Sequence, residues 1–220
     1  DREGVVLWDV TASLPVRGLS APLGAWVSVE ATVRGATLEQ ATVLVHSRPR
    51  APFPSPEGDF HFLQARAARR ARNLERRAKA HRALRDFFDE RGYLEVETPT
   101  VVPSPGLDVH LAAFEVLGGP KAGYLGTSPE YQMKRLLAGG LPRIYQVVRC
   151  YRRDEAGPSH EPEFTMVEWY RAFASADELM DETEDLVRHV VRSLNDGSSI
   201  VNRRGHAIDV GLPWERLTVD

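Results

Sequence analysis

Cysteine is almost missing from this chain. Cys150 is the single one in 220 residues, which excludes an internal disulfide framework and a cysteine zinc cluster. There is no apolar run of the ~18 or more residues that a membrane-spanning helix needs, and no secretory signal pattern. The cytoplasm is therefore the default compartment, and no membrane partner is expected. Positive charge is not in excess either: 28 Lys and Arg against 31 Asp and Glu leave a formal net charge of -3, so no global basic field points to nucleic acid. His110 has no companions at metal-ligand spacing, and no metal site is expected within the chain. What remains is 42% hydrophobic and 27% charged residues, an ordinary globular composition with enough apolar mass for a real core.

The first 50 residues alternate short β-like runs with turn residues. Val5–Trp8, Ala25–Val29 and Ala41–Val45 are the best strands, punctuated by Gly18, Pro22, Gly24 and Gly35. Residues 51–60, with Pro52, Pro54 and Pro56, read as a linker. Residues 61–220 read as a second, larger domain. Phe60–Arg91 is Ala- and Arg-rich and free of Gly and Pro after Gly58, a helix with Leu84, Phe87 and Phe88 as its apolar stripe and Gly92 as its stop. Its arginines, from Arg66 to Arg85, fit a solvated face better than an RNA contact, because the chain as a whole is not basic. Gly92–Pro99 reads as a strand and Phe114–Val116 as a short one. Pro129 sits in the first turn of a helix carrying Tyr131, Leu136 and Leu137. Ser175–Leu194 is the clearest amphipathic helix, opened by a capping box of Ser175 with Glu178.

Chemistry concentrates between Tyr124 and Ala172. The runs Arg143–Tyr151 and Phe164–Tyr170 flank a polar Gly-Pro loop, the pattern of an antiparallel hairpin. Arg152 and His160 bracket the loop, where they can hold a polyphosphate; arginine suits the task because its planar fork pairs bidentately with phosphate oxygens. Strand alternation places Phe164, Glu168 and Tyr170 on one face. That face is a floor for a small ligand.

The strings TSPEYQMKRLL (Thr127–Leu137) and HEPEFTMVEWYR (His160–Arg171) resemble the class II aminoacyl-tRNA synthetases of the Lys, Asp and Asn subclass. Within that subclass they are most similar to the lysyl-tRNA-synthetase-like ligases that modify elongation factor P. The hairpin resembles motif 2, and the helix and strand before Pro99 resemble motif 1, which implies a homodimer built on that region. The implied fold is α+β: a class II synthetase-type antiparallel sheet with flanking helices, preceded by a small β-rich OB-like module. The implied activity is ATP-dependent formation of an aminoacyl adenylate from lysine or β-lysine. The resemblance assigns roles by position. Arg152 bridges the α-phosphate and the substrate carboxylate, His160 lies near the distal phosphates, and Phe164 stacks under adenine. Arg153, Asp154 and Glu161 complete the ATP loop. Glu130, within Ser128-Pro129-Glu130, takes the α-amino group, and Glu168 with Tyr170 reads the lysine side chain. Magnesium is expected with ATP.

Several positions depart from the family pattern. Asp154 stands where the family has glutamate, Glu161 replaces an asparagine, and Ser159 replaces the arginine of the tRNA enzymes. Motif 3, Gly-x-Gly-x-x-Arg, is absent; its arginine and the neighbouring magnesium ligands are expected beyond Thr218, and a start at Asp1 points to residues before it. Three functions stay open: a ligase that lysylates elongation factor P, a lysyl-tRNA synthetase, and a catalytically silent synthetase-like module.

Overall fold

The computed structural model describes residues 5–8, 13–17, 20–22, 24–48, 67–106, 108–119 and 123–218. The proline linker, Gly18, Arg66 and the expected helix start at Phe60 lie outside them, as do the side chains of Arg69 and Arg70. The chain forms two compact units that divide between Lys79 and Ala80.

The first unit holds one four-stranded sheet, in the order β1-β2-β4-β3. β1 (Val5–Trp8) and β2 (Ser13–Val16) form an antiparallel pair. β3 (Trp26–Arg34) and β4 (Thr37–Ser47) form a longer one. Both longer strands outrun the expected Ala25–Val29 and Ala41–Val45. Gly35 turns the corner between them at φ +62, a conformation that glycine adopts without steric cost. Proline at position 15 hid β2 from sequence reading, because proline removes a ladder donor; it pairs with Val6 on the β1 side.

Helix α1 (Ala67–Asp89) runs from the first unit into the second. It stops where expected: Gly92 lies at φ +69 and its N–H returns to the Asp89 carbonyl. The expected strand Gly92–Pro99 is only β5 (Leu94–Glu95), two residues long. One more backbone bond, Val96 N to Tyr145 O, extends the pairing before the chain leaves toward Pro99. β5 joins β9 (Arg143–Tyr151) and β10 (Glu163–Arg171) in the order β10-β9-β5. β9 and β10 pair antiparallel in unbroken register from Glu163↔Tyr151 to Arg171↔Arg143. β5 pairs with β9 in parallel, so the sheet expected to be antiparallel is mixed at this edge.

A second small sheet places β8 (Gly123–Leu125) between β6 (Val101–Val102) and β7 (Glu115–Val116). α2 (Glu130–Ala138) follows, with Pro129 as its N-cap residue rather than inside the first turn. α3 (Ala176–Leu194) opens with the expected capping box: Ser175 Oγ accepts from Glu178 N at 3.2 Å, and Ser175 N donates to Glu178 Oε2 at 2.8 Å. The hairpin β11 (Ile200–Arg203) and β12 (His206–Asp209) closes the described chain.

Register divides the β9–β10 ribbon into two faces. Odd-numbered Tyr145, Val147, Val167 and Trp169 point to the core, where they meet Phe87, Phe88 and Leu84 of α1, Tyr93, and Leu186 and Val190 of α3. Phe88 is the centre, with no exposed surface. It stacks on Tyr145 at 4.4 Å between centroids and meets Phe87 and Tyr93 edge-on at 5.4 and 5.2 Å. Such pairs add to plain area burial because ring quadrupoles favour offset and edge-to-face contacts. The basic face of α1 is partly committed within the fold. Arg85 grips Glu95 through Nε and Nη2 at 2.9 and 2.8 Å; just past the helix end, Arg91 lies 3.6 Å over the Phe87 ring. No helix among the described residues is long and apolar enough to cross a membrane.

Candidate functional site

Even-numbered residues of the same ribbon make the opposite face. Ile144, Gln146, Val148 and Cys150 of β9 stand across from Tyr170, Glu168, Met166 and Phe164 of β10. Arg152 follows Cys150 with the same parity. α2 packs against both strands, and Ser128, just before it, reaches Glu168. This is the floor that strand alternation predicts, with Phe164, Glu168 and Tyr170 on one side.

Glu168 is held from two directions. Tyr170 Oη donates to its Oε1 at 2.6 Å and Ser128 Oγ donates to its Oε2 at 3.2 Å. Ser128 Oγ also accepts from Glu130 N at 3.1 Å, so the turn that starts α2 and the acid on β10 share one hydroxyl. Burial, then the bond to Glu168, pushes the Tyr170 phenol far up, which keeps it a donor. A half-buried carboxylate with both oxygens aimed by neutral donors keeps its remaining lone pairs for further donors.

Arg152 is three-quarters buried, its side chain 23% exposed, rather than the surface guanidinium that its place at a strand end suggests. Its contacts are loose: Nη1 to the Glu155 carboxylate at 3.3 and 3.4 Å, Nε to Thr127 O at 3.4 Å. Charge-assisted bonds of full strength run about 2.7–2.9 Å, so the fork is placed but not locked. Its carbon lies 5.1 Å from the centroid of the Phe164 ring. Cys150, 1% exposed, sits below. Burial pushes its thiol up to about 11, with the Glu168 charge adding to the shift and Arg152 opposing it.

Other expected residues are placed differently. Glu130 is engaged by Lys134 one turn along α2, at 2.5 Å, and that hydrogen bond, followed by the Glu130 charge, raises the Lys134 ammonium. The pair is exposed, so it holds Glu130 weakly. Arg153 and Asp154 pair with each other at 3.1 Å on the outside of the turn, both more than half exposed. Arg149, at the end of the same strand, points to the core-side face and meets Glu163 at 3.4 Å. The structure therefore brings Arg152 alone of these three arginines to the floor. Pro129 is buried beside Ser128. His160 bridges Gly157 through both backbone bonds, at 3.0 and 3.3 Å, and with Glu155, Ala156 and Gly157 lines an open cavity of about 310 Å³. Glu161 is exposed beside it. Among the described residues no group of three or more His, Cys, Asp or Glu side chains could hold a metal ion, so no residue here is assigned to magnesium.

Sequence reasoning missed Gln146, Glu155 and Thr127. Gln146 was within reach: it has the parity of Cys150 and Arg152. Thr127 is 2% exposed and lies close to Gly106, where an added Cβ would come within 3.3 Å of its hydroxyl; no local pattern reveals that neighbour.

A ribbon with an arginine at its loop end and a doubly held glutamate on its floor, approached by a Ser-Pro-Glu helix start, defines a class of protein. Residues 57–220 match the family described as tRNA synthetases class II (D, K and N), and the chain belongs to it. It is similar to proteins named "Elongation factor P--(R)-beta-lysine ligase". Those from Yersinia enterocolitica and Proteus mirabilis are each 49% identical over 125 residues, 54% of this chain and 38% of theirs. The one from Hamiltonella defensa is 45% identical over the same span. The chain thus spans about 38% of the length of these relatives.

Proposed function

We propose that the protein activates lysine or β-lysine with ATP and passes the acyl group to elongation factor P. The observation that carries this reading is Glu168, held by Tyr170 and Ser128 on the ribbon floor. A desolvated carboxylate facing an ammonium selects a cationic amino acid, because a neutral competitor leaves it unpaired. The names of the relatives support the acceptor.

In the first step a carboxylate oxygen of the amino acid attacks the α-phosphorus of ATP. The bond to the bridging oxygen breaks, and pyrophosphate leaves with that electron pair. Phosphoryl transfers of this kind depend on positioning and charge stabilisation. Arg152 lies between substrate carboxylate and α-phosphate and exchanges its weak hold on Glu155 for the phosphate. Phe164 carries the adenine, and His160, Arg153, Asp154 and Glu161 border the distal phosphates. Glu130 leaves Lys134 to take the α-amino group. In the second step a lysine amine of the acceptor attacks the acyl carbon; the amide forms, AMP leaves, and the amine proton passes to solvent. Magnesium supplies charge neutralisation when bound with ATP, and its ligands are sought outside the described residues. The fold reading extends to a homodimer through α1 and β5, and to a reduced OB-like module in the first 50 residues.

Pyrophosphate exchange with full-length protein tests the substrate. Lysine or β-lysine drives it best, and exchange led by aspartate or asparagine refutes the assignment. Transfer of labelled lysine tests the acceptor: it goes to elongation factor P in preference to tRNA. Charging of tRNA with the protein acceptor ignored makes the chain a lysyl-tRNA synthetase instead.

A further inference from the structure

The floor carries one buried polar group that the roles above leave idle. Gln146 is 3% exposed and stands directly across the strand pair from Glu168. Its neighbours on the same face, Ile144 and Val148, are the branched apolar residues that such a position normally holds. Thr98 Oγ1 donates to Gln146 Oε1 at 3.0 Å, which anchors the carboxamide oxygen. Its side-chain N–H groups have no acceptor among the described residues. They are not sealed away, since Trp169 Nε1 is the only fully buried side-chain donor without a partner among those residues. A largely buried amide whose donors lack a protein partner keeps hydrogen-bonding capacity that a ligand-bound arrangement can use.

Glu168 supplies the matching acceptor. An ionised carboxylate has about four lone-pair sites, and the structure fills two of them, from Tyr170 and Ser128. Directly opposed residues of an antiparallel pair have Cβ atoms about 4.5–5.5 Å apart, so a turn of the carboxamide about the oxygen that Thr98 holds carries its N–H groups toward Glu168. We propose that Gln146 is a positioning residue for Glu168: anchored by Thr98, it donates a third hydrogen bond to the carboxylate as a cationic side chain docks. The bond keeps the Glu168 carboxylate aimed at the amine. The inference rests on the lysine-type reading of the site and adds a residue to its specificity.

The test compares lysine with norleucine, which lacks the amine, in pyrophosphate exchange by full-length wild type, Gln146→Met and Thr98→Val. Gln146→Met keeps length and removes the donors; Thr98→Val leaves the amide in place and frees its oxygen. Gln146→Met is expected to raise KM for lysine about tenfold, leaving KM for ATP and kcat/KM for norleucine within twofold. Thr98→Val moves the lysine KM the same way by about threefold, and it carries the comparison if the first variant does not fold. A merely structural glutamine gives a different result: KM for ATP and both amino acids rise together, or none changes, and either outcome overturns the proposal. A wild type that prefers lysine while neither variant alters that preference overturns this inference alone. A wild type that activates only aspartate or asparagine overturns the functional reading and this inference with it.

Discussion

On one face of the β9–β10 ribbon, Tyr145, Val147, Val167 and Trp169 close on Phe88 and its aromatic neighbours. On the other, one residue along each strand, Gln146 and Glu168 keep hydrogen-bonding capacity beside Cys150 and Tyr170. The same backbone and the same two strands thus yield a surface closed by ring and aliphatic packing, with Trp169 Nε1 its one unpaired buried donor among the described residues, and a surface with hydrogen-bonding capacity in reserve. The core face is stabilised by area and ring geometry. The site face is as deeply buried at Ile144, Gln146 and Cys150, but carries loose bonds, such as those of Arg152 at 3.3–3.4 Å, from groups that can turn to new partners. Substitutions on the two faces should therefore fail in different assays.

The largest effect belongs to the core. Phe88→Ala removes a ring with no exposed surface and is expected to cost about 3–5 kcal/mol, a large share of a typical domain stability of about 5–15 kcal/mol. Denaturant unfolding measures it, and a loss under about 1 kcal/mol breaks the contrast between the faces. Arg152→Ala works the other way. Exchange should fall about a thousandfold, while the fold loses only about 1 kcal/mol, because the bonds given up are long. A folded variant with unchanged exchange removes Arg152 from the reaction.

Smaller effects lie outside both faces. Ser175→Ala breaks the capping box of α3 and should cost about 1 kcal/mol, read in thermal unfolding with exchange unaltered. Glu95 is smaller still. Its hydrogen bond with Arg85 lowers its carboxyl below the ordinary value against an opposing desolvation. A depressed folded value means that the contribution is present above the unfolded value and lost as pH falls through the folded one, below about pH 4.3. With side chains 42% and 36% exposed, the pair is worth under about 1 kcal/mol. Glu95→Gln should flatten the acid limb of stability by that amount, and an unaltered limb shows that the pair contributes nothing.

Much of this was legible in the sequence because it is local. Ile144, Val147 and Val148 mark β9, the period of two fixes the floor, and Ser175 with Glu178 starts α3. What was missed depends on distant partners or weak local signals. β6 and β8 are two and three residues long and exist through each other. β5 is brief because its chain departs after Val96. The β11–β12 hairpin turns at Arg204 and Gly205, with φ of 51 and 84, and Arg-Gly is a weaker turn signal than Asn-Gly. At the site, parity placed Phe164, Glu168 and Tyr170. It says nothing of which charges pair, and so did not reveal that Arg153 turns to Asp154 or that Glu155 meets Arg152. Gln146 acquires meaning only from Thr98, 48 positions earlier.

The central claim is that Glu168 on the open face chooses the substrate by charge. Pyrophosphate exchange with lysine and norleucine, by wild type and Glu168→Gln, tests it most directly. Wild type should prefer lysine by about a hundredfold in kcat/KM, and the variant should lose most of that preference with its KM for ATP unchanged. A Glu168→Gln protein that still prefers lysine by the full margin would contradict the account.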